Sequence, residues 1–189
     1  MSAGERTALD DARARWFFAL WPSPRERELA ALAAAALALG SEARRVPAEN
    51  YHVTIAFVGA VAAAGVERLR LIGRESAAAC CTLRFDAYEY WPKPQVLVAA
   101  AHEIPAALEQ LWHGLHASLA VQGVVLTPKR LRPHITFARN VALPPDLQAP
   151  LTFMWTAEAL CLVRSDSGVK RALYTVVDRW PLLDEAAKP

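Results

Sequence analysis

The chain contains the stretch Arg45-Val-Pro-Ala-Glu-Asn-Tyr-His52-Val-Thr54-Ile-Ala-Phe-Val-Gly59, and a second stretch, Arg132-Pro-His134-Ile-Thr136-Phe-Ala-Arg139, matches it. Each has a His-x-Thr-x run whose x residues are apolar, followed by β-branched and aromatic residues typical of a strand. Because alternate side chains of a strand point to opposite faces, each histidine is predicted to share a face with the threonine two residues later. The opposite, core-facing sets are then Val53, Ile55 and Phe57 in the first strand and Ile135 and Phe137 in the second.

The repetition gives this motif its weight. A single His-x-Thr in a strand is weak evidence, because a lone histidine there is usually a surface residue or a buried group with a hydrogen-bond partner. Here two of the five histidines occur in the same context, which favours one shared site. Two imidazoles and two hydroxyls suit a phosphate ester, because the rings can act as acid and base while the hydroxyls donate to non-bridging oxygens.

Composition limits the class of protein. With 189 residues and a net charge of +2, the chain suits one domain or two small lobes and lacks the bulk charge of a nonspecific nucleic-acid binder. Basic residues nevertheless collect around both motifs: Arg44, Arg45, Lys129, Arg130, Arg132 and Arg139. The alternative interpretation of each is an ordinary solvated loop residue.

Targeting features are absent from the sequence pattern. No run of about 20 apolar residues could span a bilayer, and the first 15 residues have no apolar core of a signal peptide. Cys80, Cys81 and Cys161 form no Cys-x-x-Cys pair, so neither a zinc ribbon nor a disulfide framework is predicted. We therefore expect a cytoplasmic protein without a membrane partner.

A strand–helix–strand unit is predicted twice. The first comprises a strand at 15–21, a helix at 24–39 that starts with a Ser23/Glu26 capping box and stops at Gly40, and the first histidine strand. The second comprises a strand at 95–101, a helix opening at Pro105, and the second histidine strand. The motif offset, 134 − 52 = 82, carries helix 24–39 onto 106–121. The helical stripes are predicted as Leu29, Leu32, Ala36 and Leu39, and as Leu108, Leu111, Trp112, Leu115 and Leu119.

Further elements complete a bilobal arrangement. A helix at 65–79 and strands at 82–90, 156–164 and 172–179 are predicted, and two similar units suggest a pseudo-twofold molecule with a cleft between its lobes. We predict a lead-in at 1–14, one domain at 15–183 whose lobes join near the Pro-rich segment 87–94, and a tail at 184–189.

The chain resembles the two-histidine (2H) phosphoesterases, and within them the RNA 2′,3′-cyclic phosphodiesterases first named 2′-5′ RNA ligases. Besides the two motifs, the resemblance rests on Arg15-Trp-Phe-Phe-Ala-Leu, Leu162-Val-Arg-Ser-Asp-Ser-Gly168 and Tyr174-Thr-Val-Val-Asp-Arg-Trp-Pro-Leu182. It implies an α+β bilobal fold in which two antiparallel sheets line a central cleft, with helices outside. Departures are small: Tyr51 and Ala56 differ in size from the usual residues, and Trp21 and Trp91 are bulkier than the family pattern.

The resemblance also implies an activity. Such proteins open 2′,3′-cyclic phosphates to 2′-phosphates with no cofactor or metal, so the expected partner is an RNA with that end, or a cyclic mononucleotide, bound by a monomer. It implies that His134 is the general base and His52 the general acid. Thr54, Thr136 and Arg139 are expected to bind the phosphate.

Other residues and other functions stay open at this point. Phe17, Phe18 and Trp21 are candidates for stacking a nucleobase, although alternation places one phenylalanine in the core. His113 and His116 have a spacing compatible with zinc but no third ligand nearby in sequence. His102 is expected to be a surface residue. Ligation by the reverse reaction, a noncatalytic RNA-binding module and a metal-dependent hydrolase are the alternatives.

Overall fold

A computed structural model describes residues 14–76, 78–124, 126, 130–142, 147, 150–166 and 173–183. The predicted lead-in, apart from Ala14, and the predicted tail lie outside this range. The assignment of 15–183 as one domain stays a prediction.

The structure contains ten strands and three α-helices within the described residues. The strands are β1 (Arg15–Leu20), β2 (Arg44–Arg45), β3 (Val53–Ala60), β4 (Cys81–Phe85), β5 (Ala87–Trp91), β6 (Val96–Ala100), β7 (His134–Arg139), β8 (Phe153–Ala157), β9 (Ala159–Asp166) and β10 (Leu173–Pro181). The helices are α1 (Pro24–Ala35), α2 (Ala63–Glu75) and α3 (Ala106–Val121), and a short 3₁₀ turn covers Ala48–Asn50.

Two antiparallel sheets carry the two histidine strands. The first has the order β10-β9-β1-β3 and the second the order β2-β7-β6-β5, while β4 and β8 form a separate two-stranded ribbon. The predicted strand–helix–strand repeat is confirmed as β1-α1-β3 and β6-α3-β7. The α+β class with antiparallel sheets is likewise confirmed.

The two histidine strands share an irregularity. In the first sheet Ala19 pairs with Thr54 and Phe18 with Ala56, so the pairing passes over Ile55. In the second sheet the pairing passes over Phe137 in the same way, since Val98 pairs with Thr136 and Leu97 with Ala138. Each bulge lies directly after the motif threonine, and an extra residue at that point reverses the alternation of the side chains that follow.

This reversal changes the face on which two residues lie, Phe57 in β3 and Arg139 in β7. Phe57, predicted to face the core, is 47% exposed, and Ala56 is buried in its place. Arg139, five residues after His134, would lie on the core face of a regular strand. Because Phe137 is the bulged residue, Arg139 is instead exposed and lines the same cleft as Thr136.

Helix α1 starts as predicted and ends early. Its capping box is present, with the backbone amide of Glu26 donating to Ser23 Oγ and that of Ser23 donating to the Glu26 carboxylate. The predicted end near Gly40 is wrong. The Arg45 guanidinium donates to the carbonyl oxygens of Ala34 and Leu37 at 2.6 Å each, which supplies hydrogen-bond donors to the carbonyl end of the helix.

The predicted stripe of α1 is also wrong, because Leu32 is 70% exposed while the small residues Ala30 and Ala34 pack inward. The stripe of α3 is confirmed, since all five predicted residues are buried. The predicted strand 82–90 is two strands of different sheets, β4 and β5. Segment 87–94, predicted to join the lobes, contains β5 itself, and the strand predicted at 156–164 divides between β8 and β9.

Candidate active site

The two histidines are held in the same way at the start of β3 and β7. The Nδ1 atom of His52 lies 2.7 Å from the carbonyl oxygen of Asn50, and Nδ1 of His134 lies 2.7 Å from that of Arg132. A carbonyl oxygen only accepts, so each Nδ1 must carry the hydrogen. In the neutral ring the lone pair is therefore on Nε2, which fixes the basic nitrogen of both histidines on the far side of the ring from its own loop.

The motif threonines lie next to these rings. The Thr54 hydroxyl is 3.1 Å from Nε2 of His52 and donates to it when the ring is neutral. Thr136 lines a cleft of about 840 Å³ together with His52 and Arg139. One motif residue of each sheet, His52 of the first and Thr136 of the second, therefore lines the same cavity.

The cleft lies between the two sheets and is basic. Its walls consist of Ala43, Arg44, Arg45, Val46, Pro47, Asn50, His52, Thr136, Arg139, Asn140 and Tyr174, with no carboxylate among these described residues. Asn140 directly follows β7 in a left-handed conformation with φ of 55°, which asparagine tolerates better than most residues. The chain thus changes direction at Asn140, which is still part of the cleft wall. The electrostatics of this cavity suit an anion.

Aromatic rings surround His52. Ring centroids of Phe17, Trp21 and Tyr174 lie 5.0, 5.5 and 5.3 Å from its imidazole, and Trp21 is stacked on it. Burial among these rings disfavours the charged imidazole and is the main reason that the pKa of His52 falls to about 4. The charges of His134 and Arg139 lower this pKa further, which shows that both groups act on the same site.

A different set of groups surrounds His134. Trp91 lies 4.5 Å from its ring, and the Arg132 guanidinium lies over Trp91 at 4.3 Å. The Glu89 carboxylate accepts hydrogen bonds from both the Trp91 indole and Arg132. Burial lowers the pKa of His134, and the positive charges of Arg132 and Arg139 lower it further, whereas Glu89 raises it. Of the two histidines, only His134 has a carboxylate acting on its charge.

The expected stacking residues are placed unfavourably for a ligand. Phe18 is fully buried in the main core against Trp180, so the proposal that it stacks a base is wrong. Phe17 is only 3% exposed and lies behind His52. Sequence reasoning missed Phe57, which pairs with Phe17 across β1 and β3 and therefore shares its face of the sheet. Of the three phenylalanines, Phe57 alone presents its ring to solvent.

Sequence reasoning also missed the support around His134. Glu89 and Trp91 lie on β5, far in sequence from Arg132 and His134, and only the pairing of β5 with β6 and of β6 with β7 brings the two segments together. One signal was available: Trp21 and Trp91, the two bulky departures from the family pattern, are the indoles that lie on the two histidines.

The other three histidines have structural partners. His102 is exposed, as predicted, and its ring bonds to Asp86 and Glu89, which raises its pKa. His116 donates from Nε2 to the carbonyl oxygen of Ile55, the bulged residue of β3, at 3.3 Å. Within the described ranges, no cluster of three or more His, Cys, Asp or Glu residues is arranged to hold a metal, and no helix is long and apolar enough to cross a membrane.

A His-x-Thr strand in each of two sheets beside a basic cleft is the arrangement expected of two-histidine phosphoesterases. In comparison with known proteins, a family model described as LigT like Phosphoesterase matches residues 20–98. The RNA 2′,3′-cyclic phosphodiesterase of Escherichia coli (strain K12) is 28% identical over 140 residues, covering 74% of this chain and 80% of that protein.

Solved structures show the same similarity in fold. The crystal structure of E. coli LigT in apo form matches with a TM-score of 0.80 and 27% identity over 90% of this chain and 98% of that one. E. coli LigT complexed with 3′-AMP matches with a TM-score of 0.78 and 28% identity over 89% and 97% of the two chains. In sequence over the matched segment and in fold over most of its length, the chain is similar to LigT-like phosphoesterases of the two-histidine superfamily, which supports its assignment as an enzyme.

Proposed function

We propose that the protein hydrolyses 2′,3′-cyclic phosphate ends of RNA to 2′-phosphates without a metal ion. The observation that carries the proposal is the matched pair of histidines, each with Nδ1 hydrogen-bonded to a backbone carbonyl, beside a basic cleft that His52, Thr136 and Arg139 line. The relative in E. coli is named for this activity, and a structure of LigT holds 3′-AMP, a nucleotide phosphorylated at the ribose.

The reaction needs two proton transfers. Nε2 of His134 takes a proton from water as the water oxygen attacks phosphorus. The P–O3′ bond breaks, and the proton on Nε2 of His52 goes to the departing O3′, which leaves the phosphate on O2′. Each such transfer by a positioned group contributes about 10²–10⁴ in rate.

Charge on the phosphorus oxygens is balanced by fixed donors. We assign the Thr54 and Thr136 hydroxyls and the Arg139 guanidinium to the non-bridging oxygens, where donors held in advance cost no reorganisation during the reaction. We assign the nucleobase to the exposed ring of Phe57, because bases of single-stranded RNA stack on aromatic side chains. The cytoplasm and a monomeric state complete the proposal, with the three free cysteine thiols fitting a reducing compartment.

The direct test uses a short RNA ending in a 2′,3′-cyclic phosphate, incubated with the wild type in EDTA beside His52→Ala and His134→Ala. We expect conversion to the 2′-phosphate in the wild type and its loss in both variants. His113→Ala is the matched control, because His113 is exposed on α3. A noncatalytic binding module would show no conversion in any of the proteins, and a metal-dependent hydrolase would stop in EDTA.

The pH dependence gives a second test that does not depend on which histidine is the acid. The profile of kcat/KM reports the pKa values of the free enzyme, and its two limbs belong to the histidine pair. Both pKa values are lowered from 6.5 in the free protein. We therefore expect a bell-shaped profile with its maximum on the acid side of pH 6.5. A rate that rises steadily with pH is incompatible with a two-histidine mechanism.

The assignment of acid and base has its own experiment. A 3′-thio analogue of the cyclic phosphate has a sulfur leaving group that departs without protonation. If His52 is the acid, His52→Ala should regain activity on this substrate while His134→Ala stays inactive. The low pKa of His52 in the free protein makes the test necessary, because an anionic phosphate must raise that pKa before the ring can donate.

A further inference from the structure

Arg44 and Arg139 lie side by side across the edge of the second sheet. Strand β2 pairs with β7 in a register that sets Arg44 directly opposite Arg139, and residues directly opposite in an antiparallel pair point to the same face. Both side chains are exposed, and both line the cleft that contains His52 and Thr136. Two guanidinium groups are therefore held next to each other at the reaction site.

Like charges in this position cost stability unless an anion lies between them. Three other arginines of the described residues have carboxylate partners: Arg70 pairs with Asp178, Arg132 with Glu89 and Arg164 with Asp166. Arg45, the neighbour of Arg44, donates to the end of α1. Among the described residues no carboxylate forms an ion pair with Arg44 or Arg139, and none lines their cleft.

We propose that Arg44 binds a second phosphate, the one on the 5′ side of the nucleotide whose cyclic phosphate reacts at Arg139. This inference rests on the proposed function and specifies its substrate: a nucleotide with phosphates at both ends of the ribose. The two phosphates of such a nucleotide are separated by one sugar, a span that two long side chains on paired strands can cover. A guanidinium on each gives charge-assisted hydrogen bonds to both.

The other opening beside the site suits a polyanion less well. It is a groove of about 570 Å³ next to Trp91, and its walls are of mixed charge, with Glu89 and Glu109 beside Arg130 and Arg132. The cleft at Arg44 has no carboxylate among its described lining residues, so its potential favours the phosphates of the strand that carries the reacting end more than this groove does.

The test compares three substrates: adenosine 2′,3′-cyclic phosphate, the same compound with a 5′-phosphate, and a dinucleotide ending in the same cyclic phosphate. In the wild type we expect the 5′-phosphate to raise kcat/KM about tenfold, the usual size of a charge-assisted contact. Arg44→Gln should reduce that gain to within about twofold, and Arg44→Lys should keep part of it. Arg84→Gln is the control, because Arg84 is an exposed arginine on β4 and lines neither opening.

The outcomes separate this inference from the proposed function. A gain with both phosphorylated substrates assigns the ligand as a phosphodiester of a longer RNA, and a gain with the 5′-phosphate alone assigns it as a terminal phosphate. Hydrolysis of all three at equal rates overturns the inference and leaves the function intact. An equal loss on all three substrates in Arg44→Gln also overturns it, because Arg44 would then serve the cyclic phosphate.

A binding measurement makes the test independent of turnover. Titration calorimetry with adenosine 2′-phosphate and adenosine 2′,5′-bisphosphate should show about tenfold tighter binding of the bisphosphate by the wild type and no difference in Arg44→Gln. Equal affinities in the wild type contradict the inference even if no substrate is hydrolysed. Thermal unfolding should show Arg44→Gln to be at least as stable as the wild type, since the change removes one of two neighbouring like charges.

Discussion

The two walls of the cleft carry the same motif in opposite surroundings. On the first wall, which is aromatic, His52 lies among Phe17, Trp21 and Tyr174. On the second wall, which is charged, His134 is near Glu89 and Arg132. The motif, the bulge and the Nδ1 hydrogen bond are common to both walls, whereas the neighbours that set each histidine's charge are not.

The two walls show how a repeated structural unit can acquire two different chemical roles. Backbone geometry, which the repeat supplies twice, aims each Nε2. Side chains from outside the motif then decide how readily each ring holds a proton, because burial opposes charge and a carboxylate favours it. A substitution on one wall can therefore be matched by a substitution at the equivalent position of the other wall.

The largest expected effect tests whether the walls act as one unit. Each single change, His52→Ala or His134→Ala, should lower kcat by about 10³. In the double variant the loss should be close to that of either single variant, because groups that act together in one step are strongly non-additive. Single-turnover rates on the cyclic phosphate measure this. A double-variant loss near the product of the two single losses means that the walls act independently.

The next effect separates the walls by stability. The pKa of His52 is about 4 in the folded protein and near 6.5 in the unfolded chain, so the unfolded chain binds more protons between these values. The free energy of unfolding should therefore fall by about 3 kcal/mol from this group as the pH drops from 7 to 4. Urea titrations at several pH values give the free energy of unfolding of wild type and His52→Gln. The part of its pH dependence that comes from His52 should be lost in the variant.

Other titrating groups also contribute to the pH dependence of the free energy of unfolding. The pKa of His134 is also lowered, so it acts in the same window and remains in the variant. The lowered pKa values of Asp86 and Glu89 stabilise the folded protein, and this contribution is lost mainly as the pH falls below their ordinary range. The raised pKa of His102 also stabilises it, and that contribution is lost only above pH 6.5. An unchanged slope in His52→Gln contradicts the burial of an uncharged His52.

The smallest effect concerns equivalent positions after the two bulges, Phe57 and Arg139. Phe57→Ala should raise KM about tenfold, since stacking of a base contributes about 1–3 kcal/mol, and Phe57→Tyr should keep it. Replacing the base of the substrate by a methoxy group should abolish the difference between wild type and Phe57→Ala. Arg139→Gln should lower rates on both substrates alike. A loss on the base-free substrate in Phe57→Ala assigns Phe57 a structural role instead.

Much of the site could be predicted because its signal is local. A two-residue spacing in a strand places His52 beside Thr54 and His134 beside Thr136 without any knowledge of the rest of the chain. Helix α3 was equally accessible, because its five large apolar residues recur at helical spacing and every one of them packs inward.

The errors arose where distant contacts override local pattern. Helix α1 is rich in alanine, so its leucines dominate the pattern even though the structure buries Ala30 and Ala34. Its end depends on Arg45, which reaches back from β2. A bulge leaves no mark in a single sequence, so Phe57 was placed in the core, and Glu89 has meaning only once β5, β6 and β7 are assembled.

The unpaired residues Ile55 and Phe137 have a consequence for how such a protein can change over generations. Substitution at a wall position exchanges one neighbour of a histidine and leaves the others in place. Loss of a single codon at either bulge would restore regular alternation and turn Phe57 or Arg139 toward the core. Substitutions can therefore change the chemistry of each wall gradually. A change in the length of either strand, even by one residue, would disrupt the site at once.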